Sequence, residues 1–196
     1  MSNLLVPKFA IAIDWETSGY SYPNFAEKHQ GISFGAIIFD VNILEPVEEL
    51  YLEVQFNDKK YLWEAGAEKV HGISREHLKK NGIPQEDAAL ELGNLILKYI
   101  GTEDPMILAH RAYFDIAFSV QLMKTIDIDI KFNPTPIDTS VFGMILMETS
   151  KSDTIFETLG MAARGKHNAL EDIRNTLQAI REMKKLFLAG ATAELQ

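Results

Sequence analysis

FAIAIDWETSG, residues 9–19, opens on a continuous apolar run and closes on two acids and a turn. Five apolar residues without alternation, FAIAI (9–13), predict a strand covered on both faces, and therefore a central one. Asp14 and Glu16 follow two residues apart, and an extended backbone turns both carboxylates to one face. Acids that close repel each other unless a cation lies between them. Taken alone, the D-x-E spacing also suits a solvated strand end. Yet α/β sheets bind ligands beyond the carboxyl ends of their strands, and this pair sits at such an end.

Reading outward, ISFGAIIFDV (32–41) and VEELYLEVQF (47–56) are two further strands. The short connection holding Asn42 and Pro46 suits an antiparallel pair. YSYPNFAEKHQG (20–31) reads as an irregular loop. The pattern then turns helical, with QEDAALELGNLILKYI (85–100) starting after Pro84. MILAH (106–110) is a short strand, YFDIAFSVQLMK a helix and PIDTS a strand end, and helical spacing dominates from Val141 onward. This order predicts an α/β fold: a central mixed five-stranded sheet, three antiparallel strands and then parallel ones, flanked by helices. A ribonuclease-H-like domain has this order, as do other five-stranded α/β folds. With no repeats or linker-like stretches, one domain over 1–196 is expected.

Two later segments add to the acidic pair. Asp115, in LAHRAYFD (108–115), falls in the first turn of the helix after strand 106–110. An acid there complements the helix dipole. With Phe114 and Phe118 facing the core, however, its side chain must look elsewhere. If its strand runs parallel beside the first, Asp115 reaches the sheet edge that carries Asp14. In GKHNALED (165–172), Asn168 and Glu171 match a capping box, with Asn168 as N-cap. His167 then precedes the cap and Asp172 is the fourth helical residue. Side chains at those positions normally meet as a hydrophobic staple, and here the pair is polar. A histidine inside the helix would instead be splayed from Asp172 by roughly 140°. A lone exposed loop histidine is the plainer alternative.

Composition narrows the chemistry. At 196 residues and 46% hydrophobic, the chain can bury a sizeable core. No apolar run approaches ~18 residues, so no membrane span is predicted. MSNLLVPKF lacks the layout of a secretory signal. The absence of cysteine leaves oxygen and imidazole as the available metal ligands, and a reducing cytoplasm is the expected location. A formal charge of −9 excludes a broad basic surface for coating duplex nucleic acid. It permits local contact with an anionic strand, and short single-stranded ends suit that best. None of the five histidines (29, 71, 77, 110, 167) precedes an aspartate, which sets aside a His-Asp-type metal phosphohydrolase.

With these segments in view, the chain resembles the DEDDh family of 3'–5' exonucleases, in particular small stand-alone phage or bacterial members. The resemblance runs from Phe9 to Leu177 through DWETSG (14–19), ISFGAIIFD (32–40), AEKVHGIS (67–74), LAHRAYFD (108–115), PIDT (136–139) and HNALED (167–172). His167, five residues before Asp172, separates it from the tyrosine-bearing branch. The resemblance implies that Asp14, Glu16, Asp115 and Asp172 bind two Mg²⁺ or Mn²⁺ ions. His167 would be the general base, and Thr17, Tyr20 and His71 would contact the terminal nucleotides. The implied activity releases nucleoside 5'-monophosphates from single-stranded DNA or RNA 3' ends. DNA is the first reading. An RNA-trimming or oligoribonuclease-type enzyme and a polymerase-associated proofreading subunit are the alternatives. Only AGATAELQ follows Leu188, short for a polymerase-binding extension, so a stand-alone enzyme is expected; a homodimer stays open. Two departures stand out. Arg111 replaces the asparagine that relatives usually carry, and loop 20–31 is longer than usual. Arg111 is expected to meet a substrate phosphate.

Overall fold

The leading strand is longer than its apolar run: β1 (Phe9–Thr17) continues through both acids. The computed structural model describes residues 6–162, 165 and 167–193, the side chains of 191–193 excepted. The start of the MSNLLVPKF segment, Lys166 of GKHNALED and the last three residues of the tail lie outside the described residues. β1 pairs antiparallel with β2 (Gly31–Asp40), which sets Asp14 opposite Gly35 and Glu16 opposite Ser33. β2 pairs antiparallel with β3 (Glu45–Glu53). On the other side of β1, β4 (Ile107–Ala109) and then β5 (Ile137–Asp138) run parallel. The sheet order is β3-β2-β1-β4-β5, the predicted mixed five-stranded arrangement flanked by helices. Pro46 lies inside β3 rather than in the connection. It is tolerated there because β3 is an edge strand.

The unalternating run makes sense once both faces are followed. Ile11, Ile13 and Trp15 enter one core with Phe34 and Ile38, closed by Leu92 of α4 (Gln85–Tyr99) and Phe118 of α5 (Ala112–Met123). Ala10 and Ala12 enter the other with Ile37 and Phe39. That second core is closed by Phe156 of α7 (Ser152–Thr158) and by Ile173 and Leu177 of α8 (Ala169–Ala193). Small side chains on the second face let α8 lie close to β1.

That closeness is tightest at Gly35. A Cβ there would stand 2.5 Å from the Leu170 Cα and 2.6 Å from the Ala169 main chain. Backbone has no flexible end to swing aside. Gly35→Ala is therefore expected to lift the first turn of α8 from the sheet, costing about 1–3 kcal/mol. A lower urea midpoint together with reduced catalysis would bear this out; unchanged values for both would refute it.

Several elements differ from their expected form. Two seven-residue helices, α2 (Ala65–His71) and α3 (Arg75–Asn81), occupy a stretch read only as a motif. Left-handed Gly72 (φ 74°) ends α2, and Ser74 caps α3 by accepting the His77 N–H at 3.1 Å. Each helix is too short to show periodicity. Loop 20–31 contains one helical turn, α1 (Phe25–Lys28), and its last residue already belongs to β2. α6 (Thr139–Met147) begins where a strand end was expected. Among the described residues, no helix is long and apolar enough to cross a membrane.

Candidate active site

Asp14, Glu16, Asp115, His167 and Asp172 all line one cleft of about 190 Å³ at the carboxyl end of β1. Asp14 and Glu16 continue the row of Ala10 and Ala12, the side of the sheet that α8 covers. The start of α8 rests on Gly35, directly across from Asp14. Asn168 caps that helix: its Oδ1 accepts from the Leu170 N–H at 3.2 Å and the Glu171 N–H at 3.1 Å. The return half of the predicted capping box is missing, because the Glu171 carboxylate turns to Arg174. The polar staple does form, with His167 Nδ1 3.4 Å from Asp172 Oδ2. One potential ligand atom from each of Glu16, His167 and Asp172 lies within 4.8 Å of the other two.

Asp115 arrives from the opposite face. β4 pairs with β1 only at Ile11 and Ala12, so the Trp15 main-chain N–H lies beyond its end. Asp115 Oδ1 accepts that N–H at 3.1 Å. One turn further along α5, Ser119 Oγ accepts from the Trp15 indole at 3.0 Å. Trp15 thus fixes α5 through both its backbone and its ring. Asp115 is only 2% exposed. Burial pushes its pKa well above the usual carboxylate range, and the neighbouring Asp14 adds to the rise. A carboxylate in that position favours a proton or a cation.

The chemistry of the lining fits hard divalent ions. The four acids share the cleft with Trp15, His110, Phe114, Ser152 and Thr176, and among the described residues no lysine or arginine lines it. Carboxylate oxygens with an imidazole nearby are the donors that magnesium and manganese accept. A larger cavity of about 430 Å³ opens beside Pro105, at the other end of β4, and none of the five residues reaches it.

The three expected substrate contacts divide. Tyr20 is half-exposed, its ring 5.8 Å from that of Phe114 on the cleft wall. Thr17 and His71 do not line the cleft. The Thr17 hydroxyl donates to the Gly19 carbonyl at 3.1 Å, shaping the turn after β1. His71 is buried, and its Nδ1 accepts the Ile73 N–H at 3.0 Å, which leaves the ring proton on Nε2. That Nε2 is buried without a hydrogen bond among the described residues. Burial pushes the His71 pKa down, with Glu68 and the Thr17 main chain opposing.

Asp138 escaped the sequence reading as a functional residue. It caps α6 through Ser140 N–H (2.9 Å) and Ser140 Oγ (2.7 Å). It also accepts the N–H groups of Arg111 (3.1 Å) and Ala112 (3.0 Å), so it holds the turn that delivers Asp115. Burial alone would raise its pKa, but the hydrogen bonds from Ser140, Arg111 and Ala112 outweigh it and hold the carboxyl below its usual range. His110, also missed, lines the cleft with Nδ1 2.9 Å from Thr139 Oγ1. The PIDT and LAHR segments were the available signals for both.

Arg111 occupies the left-handed region, at φ 65° and ψ 59°. Asparagine tolerates that conformation better than arginine, a physical reason for its frequency at this position in the resembling family. Arg111→Asn is expected to raise stability by about 1 kcal/mol. A denaturation midpoint at or below that of wild type would contradict this.

Comparison with known proteins follows the same lines. The model of the family RNase T, described as exonuclease, matches residues 11–180. No curated protein matches the chain. Among solved structures, the nuclease domain of 3'hExo, "a DEDDh family member, bound to rAMP", superposes with a TM-score of 0.69 at 17% identity, over 92% of this chain and 94% of that one. A 3'-exonuclease recognising a histone mRNA stem-loop gives 0.70 at 18% identity, over 91% and 82%. Escherichia coli exonuclease I, in a zinc-bound single-stranded DNA complex, gives 0.72 at 15% identity over 91% of this chain. This chain spans only 41% of exonuclease I. At these identities the likeness is one of fold.

Proposed function

Because the chain belongs to the RNase T family of exonucleases, we propose that it is a metal-dependent 3'–5' exonuclease acting on single-stranded ends. The observation that carries this reading is the convergence of four carboxylates and an imidazole from three separate segments on one cleft. Asp14, Glu16, Asp115 and Asp172 would hold two Mg²⁺ or Mn²⁺ ions. Bound there, the ions would neutralise the phosphate and help ionise the attacking water. The chain's own part is positional. Trp15 and Asp138 hold Asp115, Gly35 admits the start of α8, and Asn168 sets His167 beside Asp172. His167 Nε2 would accept the proton of the attacking water, and the products would be a nucleoside 5'-monophosphate and a strand one residue shorter.

Single-stranded substrate is supported by the net charge of −9, which disfavours a long duplex footprint. Structural neighbours caught with rAMP and with single-stranded DNA add to that support. DNA is the preferred reading, and RNA trimming is the alternative, supported by a structural neighbour bound to rAMP. A cytoplasmic setting is supported by the lack of cysteine. Arg111, exposed beside the cleft, would bind a phosphate, so the Michaelis constant of Arg111→Asn should respond less steeply to salt than that of wild type.

The deciding test uses 5'-labelled DNA and RNA oligomers and dinucleotides with Mn²⁺ or Mg²⁺. A descending ladder that EDTA stops and that Asp14→Ala lacks is expected. Immediate release of labelled mononucleotide would mean attack from the 5' end. Wild-type rates in Asp14→Ala would overturn the metal assignment.

A further inference from the structure

The larger cavity, of about 430 Å³, lies between α4 and the stretch that follows α5, at the amino end of β4. Its floor is apolar: Ile96 and Met123 are buried there, and Ile126 and Ile130 are half-buried. Three aliphatic side chains stand open around it, Leu90 at 51%, Leu97 at 59% and Ile128 at 44%. Exposed apolar residues scattered singly are ordinary, whereas three from two segments around one hollow mark a surface that something covers. Leu90 and Leu97 sit seven residues apart on α4, two turns or about 10 Å, and so form one edge of a groove. Gly93, between them and lining the cavity, brings no side chain to fill it.

The walls are held in place. The Ile128 N–H donates to the Met123 carbonyl at 3.2 Å, the Gly101 N–H to the Ile96 carbonyl at 3.3 Å and the Asn133 N–H to the Pro105 carbonyl at 3.0 Å. A groove fixed in this way adds little ordering cost to binding. Its rim is acidic: Glu103, Asp104 and Asp129 are exposed beside the apolar floor, against one cation, Lys131, among the described lining residues. That rim decides the occupant. It would repel the phosphates of a nucleic acid or an anionic lipid surface, and a second copy would bring its own net charge of −9. Small-molecule sites orient their ligand with polar groups set into an apolar lining. Here Asn94, Thr102 and the three acids are exposed, so they frame the floor and do not project from it. A polypeptide with aliphatic side chains flanked by basic ones matches both the floor and the rim.

We propose that this groove docks a short segment of another protein. The segment seats aliphatic side chains against Leu90, Leu97 and Ile128 and sets lysine or arginine against Glu103, Asp104 and Asp129. The inference stands apart from the exonuclease reading. Groove and acidic cleft lie at opposite ends of β4, so a docked partner leaves the cleft open. The apolar contacts supply the affinity, and the rim charges chiefly speed association and make it salt-sensitive.

The test titrates a fluorescein-labelled dodecapeptide, leucine pairs alternating with lysine–arginine pairs, by anisotropy, and follows the protein's backbone amides by ¹H–¹⁵N NMR. Two control peptides carry glutamate in place of the basic residues or serine in place of leucine. Wild type should bind the parent peptide at least about tenfold more tightly than either control, with amide shifts gathered at residues 90–105 and 126–131. Leu97→Lys and the pair Asp104→Lys with Asp129→Lys alter exposed side chains, so both proteins should keep the wild-type Tm. Each should weaken binding at least about tenfold. The double variant should also lose most of the salt dependence. No binding of the parent peptide by wild type, equal binding of a control, or full affinity in either variant would overturn the proposal. Amide shifts spread over the acidic surface at large, the mark of bare charge attraction, would overturn it too. Wild type that sediments as a dimer without peptide, while Leu97→Lys sediments as a monomer, would give the groove to a second copy and remove the partner.

Discussion

Replacing Asp115 with asparagine is expected to abolish cleavage and, in the same molecule, to make the metal-free protein harder to unfold. The two effects share one cause. Asp115 is buried, its ionisation opposed by desolvation first and by Asp14 second, and relieved chiefly by the main-chain hydrogen bond from Trp15. Asparagine keeps an oxygen to accept that N–H while removing the charge. The loss of a proposed metal ligand removes several kcal/mol of charge stabilisation, so a rate loss on the order of 10³-fold follows. Relief of repulsion in EDTA should raise Tm by roughly 2–4 °C per kcal/mol recovered. Adding Mn²⁺ should raise the Tm of wild type by mass action and move the variant far less. An Asp115→Asn protein that unfolds more easily in EDTA would show that the carboxylate is structural.

The same shift fixes the pH dependence of the metal-free protein. A carboxyl whose folded pKa is raised binds its proton more readily in the folded chain, so its ionisation costs stability as pH rises through that pKa. Acidification from neutrality should therefore first stabilise the protein in EDTA. Asp138 acts with the opposite sign. Its folded pKa is depressed, so its contribution is present above the usual carboxylate range and is lost as pH falls through the folded value. The Asp115 benefit is complete once pH reaches the unfolded carboxylate range near ~4, and further acid can only take the Asp138 contribution away.

Which parts of this site were legible in the sequence follows from how locally each is encoded. The central strand announced itself because burial on both faces leaves an unbroken apolar run, and the two acids after it needed only the strand's period to share a face. The N-cap at Asn168 was likewise local, and it placed His167 beside Asp172 before any tertiary contact was known. Asp138 was not legible, because its value lies in accepting N–H groups from Arg111 and Ala112, far away in sequence. Ser119 is in the same position: nothing local marks a serine in an apolar helix as the acceptor for Trp15. Nothing local marks Gly35 either, and its purpose appears only when the backbone of α8 is laid against it. α2 and α3 were hidden by brevity, since seven residues complete only about two turns of any helical period.

Replacing His167 with alanine is expected to lower kcat by about 10²–10⁴-fold, the usual worth of a positioned general base. Its geometry admits two roles, because one ring nitrogen lies within 4.8 Å of a carboxylate oxygen of Glu16 and of Asp172. A base and a metal ligand make different demands. As a base, His167 would take a proton from the attacking water and leave the ions to the four carboxylates. In His167→Ala the Mn²⁺-induced rise in Tm should then persist, because the four carboxylates remain. As a ligand, its loss would shrink the Mn²⁺ shift and raise the metal concentration needed for half-maximal rate. The half-exposed ring favours the first role: its Nδ1 faces Asp172 across 3.4 Å, which leaves Nε2 for water. A His167→Ala protein that keeps the wild-type kcat, or whose Mn²⁺ shift collapses, would remove the imidazole from the proton-transfer step.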